Sequence, residues 1–295
     1  MSVIAFGYYG FNNVGDDQLL TETMAILTDL SIDNPIVANG PATISYPSFN
    51  RWNLLSWVGQ LIRHNTLLFG GGSIFQSMTG FGSLLYYAVI VQLAYACNCN
   101  VMLLCHGWGP FKQKWHERFA AWTLRKACRS WRLPPPACFY SDPVFCDLTL
   151  TQPLPTISKN ASGIGISIRS AEMAAQVNHY FQVMGSSAPI NCNENKLIAA
   201  TWYSNHTPLE LLVTDRLHSA IWASRHGIPW VGISTDPKLM HIANQANQPC
   251  FSTIDHFVAM FNWTAIDGKH LQHWVTTHSK QRHRIQKWLH EHISH

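Results

Sequence analysis

Short apolar runs alternate with helical patterns along most of this chain, and that alternation limits the possible folds more than any other feature. Leu211–Thr214 has the pattern of a buried strand, a polar loop and a helical stretch follow it, and Trp230–Ser234 is the next buried strand. Strands that alternate with helices predict a parallel, doubly wound sheet. A chain of 295 residues is long enough for two such units. We therefore predict an α/β protein of two Rossmann-like lobes with a central cleft.

The predicted domain boundary follows a polar, proline-containing segment at 149–162, which is typical of a linker. We expect the first lobe over residues 1–150 and the second over 160–265. Residues 266–295 should add one amphipathic helix with an apolar stripe and a basic face. The stripe contains Leu271, Trp274, Val275, Ile285, Trp288 and Leu289, and the basic face contains Lys280, Arg282, Arg284 and Lys287. This helix either packs on a lobe or lies on an anionic lipid surface.

The sequence predicts the bounds of two further helices and an edge strand in the first lobe. Residues 53–64 should form a helix that buries one side, made of Leu54, Leu55, Val58, Leu61 and Ile62. A long basic helix is expected from Lys112 to Trp131. An edge strand is then expected from Ala137 to Tyr140, after three consecutive prolines.

Composition narrows the possible partners. Only 12% of the residues are charged, and the formal net charge is +4. This mild basic excess suits an anionic small molecule or membrane surface and is too weak to indicate nucleic acid. The first residues form a strand without the basic and cleavage regions of a signal peptide, and no apolar run is long enough to span a bilayer. We expect a cytoplasmic protein, with peripheral contact to the inner face of the membrane through the basic tail.

Candidate site residues cluster between the two strands introduced first. Arg216 and His218 stand where a strand passes into a helix, and Lys238 follows the next strand. Open α/β sheets bind ligands at this edge, and helix N-termini add partial positive charge there. Arg216 and Lys238 can bind an anion, and His218 can transfer a proton near neutral pH.

The first lobe offers a second set of candidates at the same kind of edge. Asn12, Asn13 and Asp16 follow the first strand, and Gly71 and Gly72 follow the strand at 66–69. They either contact a ligand or form only a turn, a helix cap and a tight packing contact. His106 and Arg169 stand at strand ends too, where each has either a structural or a ligand-binding role.

Several stretches, taken in order, resemble the motifs of the polysaccharide pyruvyl transferase family. The opening loop is similar to the family's glycine-rich Asn-x-Gly-Asp-Glu motif, and later segments resemble its second glycine motif, its Gln-Gly-x-Gly-Pro turn, its Ala-Asp-Pro-x-Phe element and its C-terminal signature. The segments are Gly7–Asp17, Gly70–Gln76, His106–Pro110, Ser141–Phe145, Gly165–Arg169, Arg216–His218 and Asp236–Lys238. The resemblance covers most of the chain.

The resemblance implies a two-lobed fold like that of the two-lobed glycosyltransferases, and a transferase without a cofactor or metal. Such an enzyme moves the enolpyruvyl group of phosphoenolpyruvate onto two hydroxyls of a glycan or lipid-linked sugar, forming a ketal and releasing phosphate. The resemblance implies that Arg216 and Lys238 bind the donor's charged groups and that His218 is the acid/base catalyst. Asn12, Asn13, Asp16, Gly71, Gly72 and Arg169 complete the expected substrate-binding set.

The chain also departs from the family pattern. The family's Arg-Asp strand after the basic helix is replaced by Cys128–Leu133, so Arg129 or Arg132 would have to take over, and the second lobe is shortened. Two other functions stay open: a glycosyltransferase-like enzyme that uses a nucleotide sugar, and an inactive relative that serves as a binding protein. A nucleotide-sugar enzyme would need ribose and base contacts in the second lobe, where residues 170–210 offer few.

Overall fold

The computed structural model describes residues 2–11, 13–32, 34–131, 163–184, 190–191, 209–262, 268–279 and 282–293. The chain divides into two compact units, Met1–Gln152 with Gln281–His295, and Pro153–Lys280. Each unit contains its own sheet, and every strand pairing found in either sheet is parallel. The α/β class and the Rossmann-like character of both units are therefore confirmed.

The first unit contains a six-stranded sheet with the strand order 3-2-1-4-5-6, the order of dinucleotide-binding folds. Its strands are β1 (Val3–Phe6), β2 (Ile36–Asn39), β3 (Ser48–Asn50), β4 (Thr66–Gly70), β5 (Asn100–His106) and β6 (Cys128–Trp131). Its first four helices are α1 (Val14–Asp29), α2 (Leu54–Arg63), α3 (Phe81–Ala96) and α4 (Lys114–Thr123). Strands β2 and β3 lie on one side of β1, and β4, β5 and β6 lie on the other. The order in which strands are added therefore reverses between β1 and β4.

The second unit contains a five-stranded sheet in which β8, β7, β9, β10 and β11 lie in that order, the 2-1-3-4-5 order of flavodoxin-like sheets. The strands are β7 (Ile164–Ser167), β8 (Ile190–Asn191), β9 (Leu211–Thr214), β10 (Trp230–Ile233) and β11 (Cys250–Phe251). The helices are α5 (Ala171–Val183), α6 (Leu217–Arg225), α7 (Pro237–Ala246), α8 (Ile254–Met260) and α9 (Gly268–Ser279), and α10 (Arg282–Ile293) returns to the first unit.

The two faces of the first sheet bury different helices. On one face, α1 and α10 pack against Val3, Ala5 and Leu68. On the other face, α2, α3 and α4 share a core with Ile4 and Phe6. The alternation of β1 residues between the two cores follows from the two-residue period of a strand.

The basic helix predicted from Lys112 to Trp131 is too long. Helix α4 ends at Thr123, and Cys128–Trp131 forms the edge strand β6 beside β5. The Ser130 hydroxyl accepts a hydrogen bond from Cys105 N–H at 2.7 Å, where the register between the two strands shifts. A strand therefore occupies the region where the family's Arg-bearing strand seemed to be missing, and Arg129 lies on it. Arg132 and the predicted strand at 137–140 lie outside the described residues.

Helix α2 buries only part of the apolar side predicted from the sequence. Only Trp57 and Leu61 are buried in this helix, whereas Leu54, Leu55, Val58 and Ile62 are exposed. The Trp57 indole N–H donates to Arg51 O at 2.8 Å and its ring lies in the core, which fixes the rotation of the helix.

The described part of the tail contains the helices α9 and α10, and residues 280 and 281 between them lie outside the described residues. The apolar stripe of the tail is buried, including Trp274 and Val275 in α9 and Ile285 and Leu289 in α10, which agrees with the alternative in which the tail packs on the protein. Because the α10 part of this stripe lies in the core of the first unit, that helix cannot insert the stripe into lipid. No helix in the described ranges has both the length and the apolar character needed to cross a bilayer.

Candidate functional site

The carboxyl edge of the first sheet brings the glycine turns together at the reversal point between β1 and β4. Helix α1 begins after the loop that follows β1, and Asn13 caps it by accepting the Gly15 N–H at 3.2 Å. Asp16 and Asp17 lie in the first turn of this helix, where carboxylates interact favourably with the helix dipole. Partial burial raises the pKa of Asp17, although its bond with the Gly10 N–H opposes this. Asn12 lies outside the described residues.

The turn after β4 is built on left-handed glycines. Gly71 and Gly72 have φ values of +74° and +79°, which residues with a Cβ rarely adopt. A Cβ on Gly71 would lie 2.7 Å from Leu19 Cδ2, so an added methyl group would have to displace the end of this core side chain. A Cβ on Gly72 would lie 3.6 Å from Asp16 Oδ1. Gly72 and Asp16 are therefore direct neighbours.

Asn13, Asp16, Gly71 and Gly72 thus lie at one edge of one sheet, as predicted from the sequence. Tyr9 connects the loop after β1 to the end of β4, because its buried hydroxyl donates to Gly70 O at 2.9 Å. Burial raises the pKa of Tyr9 far above its ordinary value. The ring is therefore neutral, and its hydroxyl remains a donor at any physiological pH.

Arg51 is a buried cation at this edge that sequence reasoning missed. It is 1% exposed, and its guanidinium donates to Gly7 O at 2.6 Å and to the Tyr87 hydroxyl at 2.9 Å. The rings of Phe6 and Phe11 lie 4.9 and 5.3 Å from the guanidinium carbon. Arg51 therefore ties the loop after β1 to α3. The available signal was an isolated arginine among aromatic residues.

His106 has a structural role at the end of β5. Its Nε2 accepts the Ile74 N–H at 3.4 Å, so Nδ1 carries the proton and donates to Gly107 O at 2.7 Å. The ring is completely buried. His106 therefore joins the turn after β5 to the segment after the glycine turn.

At the carboxyl edge of the second sheet, Arg216, His218 and Lys238 all lie at the start of a helix that follows a strand. Arg216 is the N-cap residue of α6 and His218 is the second residue of that helix. Lys238 is the second residue of α7, which Asp236 caps by accepting the Lys238 N–H at 2.9 Å. The strands before these helices, β9 and β10, are hydrogen-bonded neighbours. All three side chains therefore belong to the first turns of adjacent helices, and all three are half-buried.

Buried hydroxyls fix the backbone that carries Arg216. Thr214 Oγ1 donates to Ser167 O at 2.8 Å and accepts the Arg216 N–H at 2.9 Å. The Ser167 and Ser219 hydroxyls lie 2.9 Å apart in the same buried layer. These bonds hold the ends of β7 and β9 and the start of α6 together.

Arg169 is paired with a carboxylate at this edge. Asp215 accepts the Arg169 N–H at 3.1 Å through Oδ1, and its Oδ2 lies 3.4 Å from Arg169 Nε. The Arg169 side chain is largely exposed. This geometry gives Arg169 a role in joining the ends of β7 and β9.

In the part of the chain that the structure describes, no group of three or more His, Cys, Asp or Glu side chains is placed to hold a metal ion. The edge of the first sheet offers the Asn13 amide, the Asp16 and Asp17 carboxylates and backbone N–H groups. The edge of the second sheet offers the Arg216 and Lys238 cations, helix N–H groups and the His218 imidazole. Cations, helix N–H groups and an imidazole bind and protonate small anions.

No protein-family model and no curated protein matches this sequence. Among solved structures, the chain is similar to the glycosyltransferase SnogD from Streptomyces nogalater, with 8% identity over 97% of this chain and 96% of that one and a TM-score of 0.47. It is also similar to the UDP-GlcNAc 2-epimerase from Neisseria meningitidis bound to UDP-GlcNAc, with 10% identity over 98% and 94% of the two chains and a TM-score of 0.47. These likenesses concern the path of the chain, so the function is argued below from the residues.

Proposed function

We propose that this chain is a transferase that moves the enolpyruvyl group of phosphoenolpyruvate onto two hydroxyls of a sugar acceptor. The observation that carries the proposal is the placement of Arg216, His218 and Lys238 in the first turns of two helices that follow neighbouring strands. Phosphoenolpyruvate carries a carboxylate and a phosphate in a small volume. Guanidinium, ammonium and helix N–H groups together suit a ligand with up to three negative charges.

The proposed reaction gives each of these groups a role. A proton added to C3 of the enol makes C2 electrophilic, and one sugar oxygen forms a bond to C2 as its hydroxyl loses its proton. The second sugar oxygen then bonds to C2 as its hydroxyl gives its proton to the departing phosphate, and the C2–O bond to phosphate breaks with its electron pair leaving on phosphate. His218 is the proton-transfer group, a role worth about 10²- to 10⁴-fold in rate. Arg216 and Lys238 stabilise the leaving phosphate.

The carboxyl edge of the first sheet, taken by itself, carries a second set of polar groups. Asn13, Asp16, Gly71 and Gly72 lie together there, with amide, carboxylate and backbone groups that suit sugar hydroxyls. The expected acceptor is a cell-surface glycan precursor, either free or lipid-linked.

Donor binding is tested first, by thermal unfolding with and without phosphoenolpyruvate. A ligand present at 100 times its Kd stabilises the native state by about 2.7 kcal/mol. We expect this stabilisation in the unmodified protein and in Arg284→Ala, a control that removes an exposed arginine from α10. We expect its loss in Arg216→Ala and in Lys238→Ala. Unchanged affinity in both of these variants would reject the assignment.

Turnover is tested separately by phosphate release with β-galactoside or N-acetylmannosamine-containing acceptors. His218→Ala should keep the stabilisation by phosphoenolpyruvate and lose phosphate release. Ordinary rates in this variant would remove His218 from the mechanism. Stabilisation by a nucleotide sugar in place of phosphoenolpyruvate would favour glycosyl transfer, and stabilisation by neither would favour a binding protein.

A further inference from the structure

The outer surface of α2, α3 and α4 is unusually apolar for a helical layer that faces solvent. These helices cover one face of the first sheet and share a single core. Leu55 is 85% exposed and Ile62 is 72% exposed on α2. Large apolar side chains are also exposed on α3 and α4, namely Leu85, Val89, Trp115 and Trp122. Soluble monomers seldom expose apolar groups in such a concentration without a partner.

A groove between α3 and α4 continues this surface. It has a volume of about 350 Å³ and is lined by Leu85, Val89, Leu93, Phe119 and Trp122, among others. The chain from residue 64 to residue 111, which includes all of α3, contains no Asp, Glu, Lys or Arg. No ionic groups therefore divide the apolar surface along α3.

The segment that forms the apolar surface is also strongly basic. Between residues 34 and 131 the chain contains eight Lys or Arg residues and a single acid, Glu117. The cations Arg63, Lys112, Lys114, Arg118, Arg125 and Lys126 are exposed. Glu117 accepts a hydrogen bond from the Trp108 indole at 3.1 Å. The remainder of the chain is net acidic, so the basic excess of the protein is concentrated in residues 34–131.

Aromatic and basic side chains alternate along α4. Trp115, Arg118, Trp122 and Arg125 follow one another at spacings of three and four residues, which places them along one side of the helix and the turn after it. The Arg125 guanidinium lies 4.5 Å from the centre of the Trp122 ring. Tryptophan with Lys or Arg is the combination that favours the headgroup level of a bilayer.

We propose that the α2–α4 face, defined by the outer surfaces of these three helices, docks on an anionic membrane. Leu55, Ile62 and the tryptophans would enter the interface, and the exposed cations of residues 34–131 would contact lipid phosphates. A second copy of the chain fits this face less well, because a symmetric contact would oppose two sets of cations. The α10 helix cannot make this contact, because its apolar side is buried.

The proposal is tested by sedimentation of the full chain with phosphatidylcholine vesicles and with equimolar phosphatidylcholine and phosphatidylglycerol vesicles. We expect binding to the anionic vesicles only, weakened by salt. Leu55→Ser with Ile62→Ser, and separately Arg118→Glu with Arg125→Glu, should each weaken binding about tenfold or more. The matched controls are Val183→Ser with Met184→Ser, an exposed apolar pair on the second unit, and Lys287→Glu on α10. Both controls should bind like the unmodified protein.

Three results would overturn the proposal. The first is no binding to anionic vesicles at low salt. The second is a loss of binding in the charge variant with full binding in Leu55→Ser with Ile62→Ser, which would indicate a purely electrostatic surface for polyanions. The third is self-association in solution that the serine variant abolishes, without vesicle binding, which would make this face a contact between copies of the chain. Circular dichroism shows whether each variant is folded. Because the changed residues are exposed, we expect every variant to fold.

Discussion

The two left-handed glycines after β4 provide a sharp test, because they differ in what a methyl group would meet. In both Gly71→Ala and Gly72→Ala the new residue must adopt a positive φ, at a cost of roughly 1–2 kcal/mol. At Gly72 the added methyl makes only ordinary contact with Asp16 Oδ1, at 3.6 Å. At Gly71 the methyl would lie 2.7 Å from Leu19 Cδ2, and Leu19 is 1% exposed in the core.

The Gly71 change therefore adds the cost of an overpacked core, typically about 1–3 kcal/mol. We expect Gly71→Ala to lower the free energy of unfolding by about 2–5 kcal/mol and Gly72→Ala by about 1–2 kcal/mol. For a unit of this size Tm changes by about 2–4 °C per kcal/mol, so the difference of about 1–3 kcal/mol corresponds to a Tm about 2–12 °C lower in Gly71→Ala.

Urea unfolding of both variants measures this difference, and Leu19→Ala supplies the double-mutant cycle. Removing the Leu19 side chain should make the Gly71 change less costly, with a coupling of about 1 kcal/mol or more, and should leave the cost of Gly72→Ala almost unchanged. Equal losses in the two glycine variants, or no coupling between positions 19 and 71, would refute the packing argument. Because Gly72→Ala stays folded, it also shows whether the exposed turn is needed for ligand binding.

Three further predictions follow from buried polar groups. Burial raises the pKa of the Tyr9 hydroxyl, so the unfolded chain loses this proton at a lower pH than the folded protein does. The free energy of unfolding should therefore fall above about pH 10. Tyr9→Phe should make this fall shallower, as measured by urea titrations at pH 8 and 11. Arg282→Ala removes a 3.4 Å contact with the buried Glu22 and should cost about 1–3 kcal/mol, whereas the exposed control Lys287→Ala should cost less than about 0.5 kcal/mol, both measured by urea unfolding. His106→Leu should cost about 1–3 kcal/mol at pH 8, and His106→Gln should recover most of that loss, as compared by thermal unfolding.

The sequence predicted the elements whose signal is local and strong. The strands near residues 3, 66, 101, 211 and 230 are buried on both faces and therefore appear as continuous apolar runs. The three-residue strand β3 and the edge strand β6 were missed, because short edge strands carry little periodicity. The buried side of α2 was only partly predicted because Trp57, a single large ring, decides the rotation of the helix against the more numerous aliphatic residues.

The candidate sites were partly predictable for a similar reason. Ligand edges follow strand ends, so Asp16, Gly72, Arg216 and Lys238 could be placed at the correct edges of their sheets. Arg51 could not be found, because its role depends on contacts with Gly7 and Tyr87, 44 and 36 residues away in the chain. Its importance is visible only once these distant segments come together.

The bridge made by His106 has a consequence for how this position can vary. The site requires one donor, toward Gly107 O, and one acceptor, toward the Ile74 N–H. A glutamine amide offers the same pair of groups, and glutamine is the residue that the resembling family carries in this turn. A second proton on the imidazole would replace the acceptor with a donor and set two N–H groups against each other. Protonation would therefore break the hydrogen bond from the Ile74 N–H, whereas an amide at this position would keep its acceptor oxygen at any pH.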